Sequence, residues 1–230
     1  MLALFRRINV IQSKRPWLAV TLVLALAGCA GAVDPSLKQL PDRVELKDVP
    51  FFRGNIYHSG PGALASMLAQ HGVQITPGLL DKPLKLPEGE GDLAQSMPRL
   101  AREYGYVVYP LAPSLLDLLQ QVSAGFPVMV RFEDGSAWWK EQRYGVLVGF
   151  NRLKGTVLLQ AGMSRRTTMS FDEFASVWKS AGSWALLVQS PRRLPVPVDR
   201  QRWLKAVDDL AQAGQEQAAA EAAKTLERAR

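Results

Sequence analysis

The segment NIYHSGPGAL, residues 55–64, is the stretch on which the fold assignment of this 230-residue chain depends. Pro61 fits the first turn of a helix, because its missing N–H would have no partner there. The apolar residues that follow recur at helical spacing and predict a helix over residues 61–71. Ser59 stands just before that helix, where some hydrolases hold a nucleophile and where serine is also a favoured cap. The sequence therefore raises the question whether Ser59 is a nucleophile, the replacement of one, or only a helix cap.

The N-terminus has the three parts of an export signal. Basic residues precede an apolar run over residues 18–27, which is shorter than the roughly 20 residues that a membrane-spanning helix needs. The run ends in Leu-Ala-Gly-Cys at residues 26–29, which resembles the lipobox of bacterial lipoproteins, whose cysteine is acylated and becomes the mature N-terminus. This resemblance implies a lipid on Cys29. Because Ala30 rather than an aspartate follows, it also implies the outer membrane, facing the periplasm.

Net charge and cysteine content restrict the possible functions. The chain carries 28 basic and 21 acidic residues, but four of the basic ones lie in the export signal. The remaining 24 basic and 21 acidic residues give a net charge of +3, which offers little support for a nucleic-acid partner. Cys29 is the only cysteine, so its lipidation would leave no thiol for catalysis, a disulfide or a metal. We expect no metal and no other cofactor.

Helical patterns come first and strand patterns follow, which is typical of an α+β fold. Further helices are predicted from Asp92 and over residues 113–122. Strands are predicted at residues 106–109, 127–132, 144–150, 157–160 and 184–188. Between the last two strands, Ser170 and Glu173 form a capping-box pattern that predicts one more helix. The sequence SRRTT, residues 164–168, is interpreted as a basic hairpin tip in solvent, with contact to an anionic envelope polymer as the alternative.

Proline-rich and polar segments divide the chain into five parts. These are a signal peptide at residues 1–28, a lipidated tether at 29–48, a globular domain at 49–190, a proline-rich linker at 191–199 and a helical hairpin at 200–230. The hairpin has two short helices joined at Gly214, and its alanine-rich second helix resembles that of a single tetratricopeptide repeat. A helical hairpin docked on the domain explains the same pattern, and both interpretations stay open.

Several segments resemble the bacterial C39-like cysteine peptidases, a papain-like family. VPFFRGNIYHSGPGAL, residues 49–64, resembles the family's active-site segment, in which a glutamine precedes Cys-Gly-Pro-Ala-Ala-Leu. RYGVLVGFN, residues 143–151, resembles its His-Tyr-x-Val-Val-x-Gly-Tyr strand. AGSWALLV, residues 181–188, resembles the end of a lipoprotein subgroup that also carries a C-terminal repeat helix pair. The resemblance covers roughly residues 45–229. It implies a papain-like C39 peptidase fold, with N-terminal helices packed on an antiparallel sheet and a helical hairpin after them.

The residues that carry the chemistry of this family are replaced here. The family's cysteine falls on Ser59, its oxyanion glutamine on Gly54 and its histidine on Arg143, with the residue that orients the histidine near Gln160. A serine hydroxyl has no anionic form near neutral pH comparable with a thiolate, so it needs a base beside it. Arginine stays protonated, and glycine has no side chain that could donate to an oxyanion. The resemblance therefore implies a degenerate peptidase with no intact catalytic set.

Other bases for Ser59 are few. The chain has two histidines. His58 is adjacent to Ser59, so its side chain should point away from the hydroxyl. His71 lies 12 residues further on, about 18 Å along a helix. Lys140 precedes Arg143 by three residues and could form a Ser–Lys dyad, which would make the chain a residual hydrolase.

The expected binding surface is the cleft of the family fold, with Tyr57, Ser59, Trp138, Trp139 and Arg143 as candidate cleft residues. The two tryptophans precede the site strand, where relatives have an aromatic loop beside the substrate cleft. The sequence thus predicts a periplasmic lipoprotein that binds a peptide or protein partner without cutting it. The alternatives are the residual hydrolase and a structural adaptor of an envelope assembly that uses the helix pair.

Overall fold

The computed structural model describes residues 35–54, 59–136 and 138–229. The first elements are a 3₁₀ helix at Pro35–Gln39, β1 at Arg43–Glu45, α1 at Ser59–Ala69, α2 at Pro77–Asp81, a 3₁₀ helix at Glu90–Asp92, α3 at Leu93–Glu103, β2 at Val107–Pro110 and α4 at Leu115–Ser123. The remaining elements are β3 at Val128–Ser136, β4 at Trp139–Asn151, β5 at Thr156–Ala161, β6 at Ser164–Ser170, α5 at Phe171–Ser180, β7 at Ala185–Gln189, α6 at Arg200–Gln212 and α7 at Glu216–Arg228. None of the helices in these ranges is long and apolar enough to cross a membrane.

A seven-stranded antiparallel sheet organises the compact unit Ser36–Arg230. Its strands follow the order β2–β7–β3–β4–β5–β6, and β1 adds to β4. Successive side chains of a strand point to opposite faces. On β4, Val146 and Val148 therefore pack with α1, while Leu147 faces the core that contains α4 and α5. The order of helices before a hairpin-rich antiparallel sheet confirms the predicted α+β class.

Helix α1 is buried along most of its length, which its small residues permit. Nine consecutive residues, from Gly60 to Leu68, are buried, and the apolar ones belong to the core cluster that α1 shares with the sheet and α3. A Cβ at Gly60 would lie 2.8 Å from the Leu93 side chain, closer than atoms of a packed core allow. Glycine at this position therefore lets the Leu93 side chain of α3 pack directly against the N-terminal end of α1, and a larger residue would force that flexible side chain to move.

The folded unit begins earlier than the sequence predicts. Residues 29–48 were expected to be a tether, but Leu37 is buried in the core and Arg43–Glu45 pairs with the end of β4. The Arg152 N–H also donates to the Asp42 carbonyl oxygen at 2.8 Å. One apolar residue and a three-residue strand are too short to give a periodic pattern. The expected domain boundary at residue 49 therefore falls inside the unit.

The C-terminal helical hairpin is docked on the domain. Trp203 of α6 is 0% exposed, packs near Tyr109 of β2, and donates its indole N–H to the Ala222 carbonyl oxygen of α7 at 3.0 Å. The expected linker at 191–199 is also packed, because Gln121 of α4 exchanges two hydrogen bonds with the backbone of Val196, at 2.8 and 3.0 Å. The docked interpretation is confirmed, and a tetratricopeptide-like arrangement stays a prediction.

The segment expected to be a basic hairpin tip is part of a strand. Residues 164–170 form β6, which pairs with β5 at the end of the sheet. Its polar sequence hides the strand pattern, because most of its side chains face solvent. The predicted cap after it is confirmed, since Ser170 Oγ accepts a hydrogen bond from the Glu173 N–H at 3.1 Å.

Candidate functional site

Ser59 begins α1 and touches the middle of β4. Its Oγ accepts a hydrogen bond from the backbone N–H of Tyr144 at 3.1 Å. This hydrogen bond is available because β5 ends opposite Gly145. The N–H of Tyr144, the residue before Gly145, therefore has no partner from β5. The sequence predicted that Ser59 would cap α1. The hydrogen bond that the structure gives this hydroxyl, within the described ranges, ties α1 to β4 instead.

Ser59, Gly54 and Gln160 line one small cavity beneath α1. Its volume is about 10 Å³, which holds at most about one water molecule. At its wall, the Gly54 N–H donates to the Gly162 carbonyl oxygen at 3.2 Å. Three of the positions inferred from the family resemblance are thus brought together, but without room for a substrate side chain.

Gln160 is the candidate position that the family resemblance placed only approximately. It is buried opposite Val146 in the β4–β5 ladder, and its Nε2 donates to the Val49 carbonyl oxygen at 3.1 Å. Its Oε1 is buried and has no hydrogen-bond partner among the described residues. An unpaired buried carbonyl is costly, and a single water in the adjacent cavity would satisfy it. In the sequence, the apolar residues just before Gln160 indicated that this position is buried.

Arg143 lies in a different environment from Ser59. In the β3–β4 register it is opposite Phe132, and both residues line a cavity of about 260 Å³. Its guanidinium forms ion pairs with Asp134, from Nε at 3.0 Å, and with Glu141, from Nη2 at 3.5 Å. Ser59 does not line this cavity, and Arg143 does not line the one beneath α1. The two cavities adjoin, because Tyr144, Ala161 and Gly162 belong to the walls of both. That the Ser59 and Arg143 side chains share one cleft stays a prediction.

A two-stranded ribbon extends beyond the sheet next to Arg143. It consists of residues 132–136 of β3 and 139–143 of β4, which remain paired after β5 has ended. Trp138 is 96% exposed and Trp139 is 68% exposed at the end of this ribbon. The Trp139 indole N–H donates to Glu141 at 2.7 Å, and Glu141 in turn contacts Arg143. Two candidate cleft residues, Trp139 and Arg143, are thus linked through one carboxylate.

Lys140 does not serve Ser59. Its ammonium group forms an ion pair with Glu133 across the ribbon at 3.2 Å, and its side chain is mostly in solvent. A lysine that acts as a base must be desolvated, and this one is mostly exposed and paired with Glu133. The Ser–Lys dyad is therefore not formed.

Among the described residues that line the small cavity, Tyr144 is the titratable one. Burial raises the pKa of Tyr144 above its usual value, and the nearby Arg131 guanidinium opposes that shift only in part. The phenol is thus protonated at neutral pH and cannot accept the proton of Ser59. None of the described residues that line the small cavity is a histidine, lysine or carboxylate. In the described part of the chain, no group of three or more histidine, cysteine or acidic side chains is placed to hold a metal ion.

Some predicted positions lie outside the described residues. These are the signal peptide at 1–28, the lipidation site Cys29, the cleft residue Tyr57 and the neighbour of Ser59, His58. They stay predictions.

Comparisons with known proteins agree with the fold. No protein-family model matches the chain, and no curated protein matches it. Among solved structures, the chain is similar to a protein from Bacillus anthracis described as C39-like peptidase, with 16% identity and a TM-score of 0.50, over 64% of this chain and 98% of that one. It is also similar to the peptidase domain of Streptococcus ComA, a bi-functional ABC transporter involved in quorum sensing, with 19% identity and a TM-score of 0.44, over 60% of this chain and 96% of that one. At such identities the likeness concerns the fold alone. The chain has the fold of C39-like peptidases.

Proposed function

We propose that this chain uses a C39-like peptidase fold to bind an extended segment of a peptide or protein without cutting it. The observation that carries the proposal is the state of Ser59. At the position of the family's nucleophile, a hydroxyl accepts a hydrogen bond from the Tyr144 backbone N–H, and no histidine, lysine or carboxylate is among the described residues that line the cavity beside it. The catalytic residues of the family are, on this proposal, replaced rather than rearranged.

Three physical arguments support the absence of cleavage. A serine lacks the thiolate that a helix N-terminus and an imidazolium stabilise in a cysteine peptidase. Arg143 cannot act as a base, because a guanidinium stays protonated, and here it forms ion pairs with Asp134 and Glu141. Gly54 offers no side-chain donor to an oxyanion, and losing one such donor lowers turnover by about 100-fold or more.

The ribbon supports the binding of an extended segment. On the edge of β4 that faces away from β3, residues 139–143 pair with no described strand. Backbone groups on such an edge can hydrogen-bond an added strand, which is a common mode of peptide recognition. Trp138 and Trp139 are the apolar anchors next to this edge, and large exposed aromatic side chains are enriched among the residues that dominate binding energy.

The proposed location is the periplasmic face of the outer membrane, through a lipid on Cys29. The support is the order of basic residues, apolar run and Leu-Ala-Gly-Cys at the N-terminus, with Ala30 after the cysteine. The mass of the mature N-terminal peptide, purified from membranes, tests this part separately. A mass that corresponds to a diacylglyceryl group on the Cys29 sulfur and an acyl group on its amino nitrogen supports the lipid anchor. An unmodified peptide that begins at another residue contradicts it.

Binding without cleavage can be tested with a displayed library of random linear peptides. Selected peptides are synthesised, titrated against the protein by calorimetry, and recovered for mass analysis. We expect intact peptides, and an affinity that falls at least about tenfold in Trp139→Ala, because truncation of a central aromatic anchor costs more than about 1.4 kcal/mol.

The matched control is Leu204→Ala, which removes an exposed apolar side chain on α6. It should leave the affinity unchanged. Trimmed peptides contradict the absence of cleavage. Equal binding by wild type and Trp139→Ala contradicts the ribbon as the binding surface.

A further inference from the structure

A second surface, far along β4 from the ribbon, is strongly basic. Two adjoining cavities of about 370 and 190 Å³ share Glu45, Leu158 and Arg166 in their walls. The cationic side chains in these walls are those of Arg43, Lys47, Lys154, Arg165 and Arg166, which we call the basic strand surface. Strands β1, β4, β5 and β6 supply these walls, together with the residues after β1 and the turn before β5, so the sheet brings the cations together.

Charge on this surface is only partly neutralised. Glu45 is the one carboxylate in the two cavity walls, and it is shared between Arg43, at 3.1 Å, and Arg166. Lys47, Lys154 and Arg165 are exposed and form no ion pair within the described ranges. Five cations against one anion leave a local charge of +4, more than the +3 of the whole chain without its signal.

An apolar side chain projects beside these cations. Leu153 is 72% exposed in the turn between β4 and β5, where it stands between Arg152 and Lys154 in sequence. An exposed leucine flanked by basic residues is the combination with which a protein surface enters the interface of an anionic membrane.

Chain length points to the same partner. The buried Leu37 follows Cys29 by eight residues, which span at most about 29 Å when fully extended. Asp42 and Arg43 follow Leu37 within six residues. Asp42 binds Arg152, and Arg43 belongs to the basic strand surface. If Cys29 carries a lipid, as proposed above, the folded unit cannot move far from the bilayer.

We infer that the basic strand surface binds the anionic phospholipid headgroups of the membrane in which the lipid of Cys29 is inserted, with Leu153 in the interface. The surface orients the unit on the bilayer. The ribbon lies at the other end of β4 and stays accessible to a peptide partner.

The test uses the soluble chain from residue 30, which contains the whole compact unit and lacks the lipid. Its binding is measured by sedimentation with vesicles of phosphatidylethanolamine and phosphatidylglycerol, and with neutral phosphatidylcholine vesicles. The double variant Lys47→Glu/Arg165→Glu should bind anionic vesicles at least about 25-fold more weakly, because each basic residue near the membrane strengthens binding about fivefold.

The matched control is Lys179→Glu/Lys224→Glu, which makes the same change of charge at two exposed lysines outside the cavity walls. It should stay within about threefold of wild type, because charges beyond a Debye length of about 8 Å are largely screened. Equal losses in both variants, or none in either, overturn the inference.

A spectroscopic arm distinguishes a membrane from a soluble polyanion. The chain without Cys29 has no cysteine, so Leu153→Cys can be labelled at one position with an environment-sensitive dye. A blue shift with anionic vesicles is expected there and not at Leu204→Cys. Tight binding of soluble polyglutamate, with no shift on vesicles, would assign the surface to an acidic polymer and overturn the inference. A failure here leaves both the mass of the N-terminal peptide and the peptide titration unaffected, so it is distinguishable from failure of the proposed function.

Discussion

Replacement of Trp203 by alanine should destabilise the entire unit, although this residue lies in the C-terminal hairpin. Its side chain is 0% exposed, packs near Tyr109 of the sheet, and donates to the Ala222 carbonyl oxygen. Large-to-small changes of buried tryptophan cost about 3–5 kcal/mol in the free energy of unfolding. In a unit of about 200 residues, each 1 kcal/mol lowers the melting temperature by about 2–4 °C, so a decrease of about 6–20 °C is expected.

Thermal and urea unfolding followed by far-UV circular dichroism measure this effect. Because the hairpin and the sheet share one core, Trp203→Ala should give a single transition at lower temperature. Trp138→Ala is the matched control, since the same change at a 96% exposed position should alter stability by less than about 0.5 kcal/mol. A Trp203→Ala protein that melts with the wild type, or that loses α6 and α7 in a separate early transition, would refute the shared core.

Two further predictions concern the hydrogen bond of Ser59 and the burial of His71. Ser59→Ala leaves the Tyr144 N–H without its partner and should lower the free energy of unfolding by about 1–3 kcal/mol, measured by urea titration; an unchanged midpoint would contradict this role. Burial lowers the pKa of His71 below its usual value near 6.5, against the opposing effect of its hydrogen bond to the Val188 carbonyl oxygen. The unfolded chain therefore binds this proton at higher pH, so the contribution of His71 to stability is complete above about pH 6.5 and is lost as the pH falls below it. Stability should decrease less between pH 7.5 and 5.5 in His71→Gln than in wild type, and parallel decreases would contradict the burial argument.

Long apolar patterns made most of the fold predictable. The helix after Pro61 and the capping box at Ser170 are local signals, because each residue in them acts on neighbours within one turn. The polar strand β6 and the three-residue strand β1 carry no such signal. Both form because β5 and β4 offer them a free edge, which is a property of the assembled sheet.

The family resemblance selected the candidate site positions, but the contacts that these side chains make were not predictable from the sequence. The resemblance placed Ser59, Gly54 and Gln160 in one neighbourhood, and they line one cavity. The cavity of Arg143 depends on the register of β3 and β4, which puts Arg143 opposite Phe132. A shift of one residue in register would reverse the face to which each side chain points, and sequence spacing alone does not specify it.

The measurement that tests the central claim most directly is turnover of a mixture of internally quenched peptides by wild type and Ser59→Ala, at a temperature where both are folded. If Ser59 is a replaced nucleophile held by Tyr144, the two proteins should give the same signal as a blank without protein. Turnover by wild type that Ser59→Ala lacks, with matching circular dichroism spectra, would make Ser59 a nucleophile and contradict the account.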